Sequence, residues 1–180
     1  MTAATVQPTL AVTRRPRTPA DDDFLFALFA STRDDVAGFG WDDVTVEQFL
    51  RFQYAARDRS YAAHPHARSE IVVVDGAPAG RLLVDHRPDA VHLVDVALLP
   101  AYRGNGIGTA LVASVVDDGT RAGVPVRLEV LAGSPAVRLY ERAGFVRRQP
   151  SPSADGDGTG GDGSAVPVAE MYVAMERAPW

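Results

Sequence analysis

A mixed α/β domain with one parallel crossover is the fold class this sequence predicts. Near residue 70 the hydrophobic pattern changes period, from apolar residues three and four apart to β-type runs. Between residues 98 and 131 a strand, a glycine-rich loop, a helix and another strand follow in order, which is the signature of a parallel crossover. Two further β-type runs close the chain. Its 180 residues fit one domain, 1–180, large enough to bury a core.

The elements follow from local chemistry. "LAVTRR" (10–15) reads as a short strand. Thr18, Pro19 and Asp21 then supply an N-cap, a first-turn proline and a capping box, and Phe24, Leu25, Leu28 and Phe29 recur at helical spacing. After the loop "GFGWDD", Thr45 and Gln48 repeat the cap logic for a second helix, whose apolar stripe is Phe49, Phe52 and Ala56. "EIVVVDGAPAGRLLVDH" is a hairpin signal, two β-type runs around "DGAP", and "AVHLVDVALL" is a third strand. A helix over about 106–122 ends where Gly123 suits a left-handed cap and Pro125 blocks continuation. "VRLEVL" is a strand. "SPAVRLYERAG" is a helix with Ser134 as N-cap and Gly144 as C-terminal cap, and "FVRR" and "EMYVAMER" are the last strands. Residues 1–8 read as a loose N-terminus. Residues 149–169, rich in Gly, Ser, Asp and Pro, have almost nothing to bury and read as a mobile loop.

Composition removes several classes of function. Net charge is -5 and the pI about 5.3, unfavourable for gripping a phosphate backbone, so no nucleic-acid partner is expected. Lysine is absent, and all 18 basic side chains are arginine. Cysteine is absent as well, which excludes thiolate nucleophiles, Cys-ligated zinc and disulfides, and no metal site is legible. No apolar run is long enough to span a bilayer, and the N-terminus lacks an apolar signal core, so a cytoplasmic protein without a membrane partner is expected.

The stretch with the most chemistry is "PAYRGNGIGTAL" (100–111). A loop that feeds a helix N-terminus is a natural anion site, because free N–H groups and the helix dipole both favour negative charge there. Glycines let an anion touch the main chain. The spacing fails the dinucleotide fingerprint, since Thr109 stands where the third glycine belongs, and it fails the Walker loop for want of a lysine. Taken alone, the loop is equally well a tight turn that needs positive φ.

Its surroundings decide. Arg103-Gly104-Asn105-Gly106-Ile107-Gly108 resembles motif A of the GNAT superfamily of N-acetyltransferases, and "SPAVRLYERAGF", about 25 residues later, resembles its motif B. The resemblance is specific over residues 70–146 and looser before them. It implies the GNAT fold: a mixed central sheet of six or seven strands, flanked by about four helices, with a splayed pair of parallel strands. It also implies acetyl-CoA as co-substrate. The amides of Arg103, Gly104, Asn105, Gly106, Ile107, Gly108 and Thr109 would cradle its pyrophosphate, with Arg103 either facing the phosphates or anchoring the loop. The pantetheine arm would run along Val96 to Leu98, and the Leu98 amide would polarise the thioester carbonyl. Ser134 stands where many relatives carry a CoA-contacting Asn, and either contacts CoA or only caps its helix. Tyr140 takes the motif B tyrosine position, whose hydroxyl protonates the departing thiolate.

For the base, the resemblance points six residues before Leu98, to His92, which has a suitable unperturbed pKa; an exposed strand histidine without a role is the plain alternative. Asp95 is the second candidate, or else a buried partner for an arginine. Glu129 and Glu170 are weaker ones. The implied acceptor region comprises "RDDVAGFGWDD", Gln53, Tyr54, Tyr61 and the 149–169 loop, where Asp34, Asp35, Asp42 and Asp43 could attract a cationic amine and Trp41 could form a wall. The expected function is acetyl transfer from acetyl-CoA to a primary amine, the acceptor a small amine or amino-acid derivative, by direct attack in a ternary complex. A protein N-terminus or lysine as acceptor, a non-catalytic acyl-CoA-binding sensor or scaffold, and a homodimer all stay open.

Overall fold

The computed structural model describes residues 10–148 and 171–180, except 63 and 65. The expected loose end, the 149–169 loop and Glu170 lie outside the described residues. The strands are β1 (Val12–Pro16), β2 (Ala67–Val74), β3 (Ala77–His86), β4 (Val91–Leu98), β5 (Val126–Leu131), β6 (Val146–Arg147) and β7 (Tyr172–Arg177). The helices are α1 (Asp22–Ala30), α2 (Asp43–Tyr61), α3 (Ile107–Ala122) and α4 (Ala136–Arg142). The strands form one mixed sheet in the order β1-β2-β3-β4-β5-β7-β6, in which β4 and β5 run parallel. Contacts divide the chain into two compact units, Met1–Leu83 with Asp95–Gly108 and Val84–Val94 with Thr109–Trp180.

In the first unit β1 pairs antiparallel with β2 over the full length of β1. The turn into α1 follows the predicted capping box. Asp21 accepts from the Thr18 amide at 2.8 Å and the Thr18 hydroxyl at 2.9 Å. Arg15 adds a two-pronged contact to the same carboxylate, NH1 to Oδ2 at 2.8 Å and NH2 to Oδ1 at 2.5 Å. Leu25 and Leu28, one helical turn apart on α1, are buried with Ile71 of β2. Phe29 joins Val36 and Leu50 in a second cluster. Helix α2 begins earlier than its sequence suggests. Its N-cap is Asp42, whose carboxylate accepts from the Thr45 amide at 3.0 Å and hydroxyl at 2.8 Å, so Thr45 lies inside the helix. Either side chain can cap; the carboxylate three residues upstream takes the amide first.

Gly80 of β3 lets β4 come close. A Cβ there would lie 2.3 Å from the Ala97 carbonyl oxygen and 2.6 Å from a Leu98 methyl. No side chain fits between the two strands at that point, so glycine sets where the end of β4 lies.

In the second unit, the ladder between β4 and β5 joins Val91, His92 and Leu93 to Val126, Arg127 and Leu128. No further β4–β5 pair occurs among the described residues, although β4 continues to Leu98 and β5 to Leu131. β5 pairs along its whole length with β7, which in turn pairs with β6. Helix α3 buries Leu111, Val112, Val115 and Val116, at the i, i+1, i+4, i+5 spacing of one helical face. Helix α4 ends in a Schellman motif: the Gly144 amide bonds the Glu141 carbonyl and the Phe145 amide bonds the Tyr140 carbonyl, both at 3.0 Å. The hydrophobic contact that accompanies such caps is here the edge-on pair Tyr140–Phe145, with ring centroids 5.8 Å apart.

Candidate active site

The glycine loop is built as an open main-chain surface. Gly104 and Gly106 have φ of +79° and +78°, a conformation that side chains other than glycine rarely adopt, and the space above each is clear to 4 Å. Both glycines and Asn105 are exposed, while Ile107 turns inward as the first residue of α3. The amides of that first helical turn have no partner within the helix. Bare backbone, a helix N-terminus and the lack of side chains over it together fit a phosphate-bearing ligand. Arg103 anchors this loop. Its Nε donates to the Leu98 carbonyl at 2.8 Å, and one terminal nitrogen lies 3.4 Å from the Ser31 carbonyl.

Leu98 sits at the end of β4. The Leu99 amide donates to Ala79 of β3 at 2.9 Å, so by strand alternation the Leu98 amide points to the opposite edge of β4. That is the edge along which the ladder to β5 covers only Val91–Leu93. Val96 lies half-buried on the same strand.

Asp95 is half-buried beside arginine. Its Oδ2 accepts from Arg57 of α2 at 2.6 Å, and Arg81 of β3 stands 3.9 Å away. Arg57 also donates to the Tyr61 hydroxyl. Burial works against the Arg57 charge, but Asp95 and Tyr61 more than offset it and raise the net pKa. Burial, followed by the nearby Asp95, pushes the Tyr61 hydroxyl up to about 12. The acidic loop is largely engaged as well. Arg33 holds Asp35 with two bonds of 2.8 and 2.7 Å, and Asp42 caps α2. Gln53 accepts from Arg33. Trp41, half-exposed, packs tilted against Phe39 and edge-on to Phe49. The side chain of Asp34 lies outside the described residues.

The second unit carries the other candidates. His92 is half-buried on β4, opposite Arg127 of β5 in register. Burial, then Arg87 and Arg127, lowers its pKa below the ordinary histidine value, which keeps the imidazole neutral at pH 7; Asp85 and Asp89 act the other way. Thr109 is exposed in the first turn of α3. Ser134 uses its hydroxyl as a cap, accepting from the Ala136 amide at 3.2 Å. Tyr140 is buried on α4, and Glu129 is exposed on β5. Thus the structure brings Leu98, Arg103 and the glycine loop together in one unit with Asp95, and places Thr109, His92, Ser134 and Tyr140 in the other.

Sequence reasoning missed Arg57 and Arg81. A signal existed for the second: an arginine inside "APAGRLLVDH", where β3 is buried at seven successive positions from Ala79 to Asp85. Among the described residues no group of three or more His, Asp or Glu could hold a metal ion, and no helix is long and apolar enough to cross a membrane.

Comparison with known proteins bears on family and fold. The model of the acetyltransferase (GNAT) family matches residues 18–145. Among solved structures, the chain is similar to PaiA N-acetyltransferase from Thermoplasma acidophilum in complex with coenzyme A, with 14% identity, 93% of this chain and 99% of that one covered, and a TM-score of 0.64. It is similar to the ribosomal-protein-S18-alanine N-acetyltransferase of Escherichia coli at 21% identity, with 93% and 94% covered and a TM-score of 0.57. An acetyltransferase from Thermus thermophilus gives 18% identity, 94% and 97% covered, and a TM-score of 0.59. At these identities the likeness is one of fold.

Proposed function

Since the chain belongs to the GNAT acetyltransferase family, we propose that it moves an acetyl group from acetyl-CoA to a small primary amine, with residues 1–180 acting as one catalytic domain. The observation that carries the reading is the exposed glycine loop, two left-handed glycines with open space above them at the start of α3. In this proposal the amides of Arg103 to Thr109 hold the pyrophosphate, and Arg103 acts by fixing the loop rather than by touching phosphate. Val96 and Leu98 line the pantetheine arm, and the Leu98 amide donates to the thioester oxygen. Ser134 acts as a cap.

The chemistry is direct attack. The amine lone pair bonds to the thioester carbon while charge builds on the carbonyl oxygen, where a fixed N–H donor stabilises it most. The carbon–sulfur bond then breaks and Tyr140 protonates the departing thiolate. An alkylamine with a pKa near that of lysine, about 10, is mostly protonated at pH 7 and must first lose a proton. His92, held neutral, is the proposed base. With a strand rise of about 3.3 Å per residue, the six residues from His92 to Leu98 span roughly 20 Å. His92 therefore takes the proton through water or from an acceptor extended along β4.

Calorimetric thermal unfolding tests the cofactor half. Acetyl-CoA should raise the melting temperature by mass action. Gly106→Glu puts bulk and negative charge over the loop and should abolish the rise. Gly106→Ala imposes the same backbone strain without the charge, and should keep part of it. A normal rise in Gly106→Glu would show that the loop is not the CoA site.

A further inference from the structure

We propose that Arg57 is a positioning residue for the transfer: by holding Asp95 it fixes the second half of β4 against α2, and so fixes the Leu98 amide where the thioester oxygen must sit. This role rests on the transferase reading and deepens it at one residue.

That half of β4 needs a fixing point. Among the described residues its ladder to β5 ends at Leu93, so from Val94 to Leu98 one edge of the strand has no paired neighbour. The Leu98 amide points to that open edge, where no ladder bond holds it. Asp95, Ala97 and, just past the strand, Leu99 share the face turned to the helices. Asp95 and Ala97 line one small space with Leu25, Leu28 and Phe29, while Ala97 and Leu99 pack against Leu25, Leu28 and Ile71. Apolar contact is non-directional, so it presses the strand on the helices without fixing it along its own axis. Of these three side chains, only that of Asp95 makes a directional bond, 2.6 Å from Oδ2 to a terminal nitrogen of Arg57.

Arg57 is itself held in place. It donates to the Tyr61 hydroxyl, and its guanidinium lies 5.4 Å from the Phe29 ring centre and 5.3 Å from that of Tyr61. Helices α1 and α2 thereby carry a fork that ends on β4. Arg81 of β3 stands 3.9 Å from the same carboxylate and is only 4% exposed, so Asp95 answers its charge as well. The members of the cluster therefore differ in what their loss does. Without Asp95, two guanidinium groups face one another. Without Arg57, Asp95 stays beside Arg81, one charge against one, and only the bond to α2 is cut. Arg57 is thus where position can be changed with the charge around Arg81 still balanced.

Infrared spectroscopy of bound acetyl-CoA, isotope-labelled at the thioester carbonyl, reads the Leu98 amide without any acceptor. A carbonyl polarised by a fixed N–H donor absorbs at lower frequency than the free compound, so the band should move down when the parent protein binds it. Arg57→Gln should return the band most of the way to its free position. It should also lower kcat roughly ten- to a hundredfold for any amine the parent acetylates, as a small misplacement at the reacting centre does. The CoA-induced rise in melting temperature should persist, because the glycine loop is untouched. Arg57→Lys, which bonds Asp95 through a single nitrogen instead of a fork, should recover part of both losses. A band that keeps its parent position in Arg57→Gln, or in Arg57→Lys should Arg57→Gln not fold, overturns the proposal. So does an unchanged kcat once the folded fraction is counted, since Arg57 would then serve the fold alone. A parent protein that binds acetyl-CoA with an unshifted band overturns the Leu98 donor and the role of Arg57 together. No binding of acetyl-CoA at all sinks the transferase reading, and this role with it.

Discussion

Tyr140 combines a structural and a proposed chemical duty in separable parts of one side chain. Its ring packs edge-on against Phe145 and closes the cap of α4, so the ring belongs to the fold. Only the hydroxyl belongs to the proposed acid. Tyr140→Phe should therefore keep the folded state and the Michaelis constant for acetyl-CoA, and lower turnover by about two orders of magnitude. Full turnover in that variant would remove the general acid from the mechanism. His92 offers a second separation. Its pKa is lowered chiefly by burial, so the folded state favours the neutral ring. The sign follows from linkage: the unfolded chain binds the proton more readily, so this contribution to stability is complete above the ordinary histidine value of about 6.5 and is lost as pH falls through the lowered one. His92→Ala should cut turnover roughly 10²- to 10⁴-fold at neutral pH if His92 takes the proton, with the loss shrinking at high pH where the amine deprotonates unaided. A deficit constant across pH would leave His92 with no part in proton transfer.

The strand ends depend on contacts as local as these side chains. The close approach of β3 and β4 at Gly80 sets the position of Leu98, whose carbonyl also receives Arg103. Gly80→Ala forces a Cβ to within 2.3 Å of the Ala97 oxygen, so β4 must shift. Such overpacking costs about 1–3 kcal/mol. Activity should fall further than stability predicts, because Leu98 moves with its strand; a stable variant with unchanged kcat/KM would mean that the Leu98 amide is not positioned for catalysis. The elements themselves were legible because proline and glycine punctuate them: Pro19, Pro125 and Gly144 mark starts and stops that the backbone obeys. The cap of α2 was misread because Asp42 and Thr45 are both good capping residues, and only hydrogen bonding decides between them. The glycine spacing made the open, left-handed loop legible, and the motifs marked Tyr140 for the role proposed for it. That Asp95 could pair with an arginine was legible, but not that Arg57 and Arg81 are the partners, because they come from a helix and a strand distant in sequence and local periodicity carries no record of such a meeting.

The whole molecule carries a net charge of -5, and several of its carboxylates titrate below their ordinary range. Asp21 is the strongest case: the hydrogen bond from Arg15, then the Thr18 amide and hydroxyl, overcome burial and hold it far below the usual value. Asp42 is lowered by Thr45, and Asp89 by Arg127. A carboxylate lowered on folding stabilises above its ordinary pKa, about 4, and loses that contribution as pH falls through the folded value. Asp21→Asn should lower stability by about 1–3 kcal/mol at pH 7, and its melting temperature should converge on that of the parent protein in acid. A gap that persists at low pH would mean that shape rather than charge matters at this position. In the pairs Arg15–Asp21, Arg57–Asp95 and Arg127–Glu176 the cation is a guanidinium, and the chain has no lysine to offer instead. Acetyl-CoA and other acetylating reagents neutralise ammonium side chains slowly even without an enzyme, and a lysine-built protein ages by losing its ion pairs to its own reagent. Here no side-chain ammonium exists to be modified, so the network that fastens β1 to the start of α1 and β5 to β7 is chemically immune to the co-substrate proposed for it.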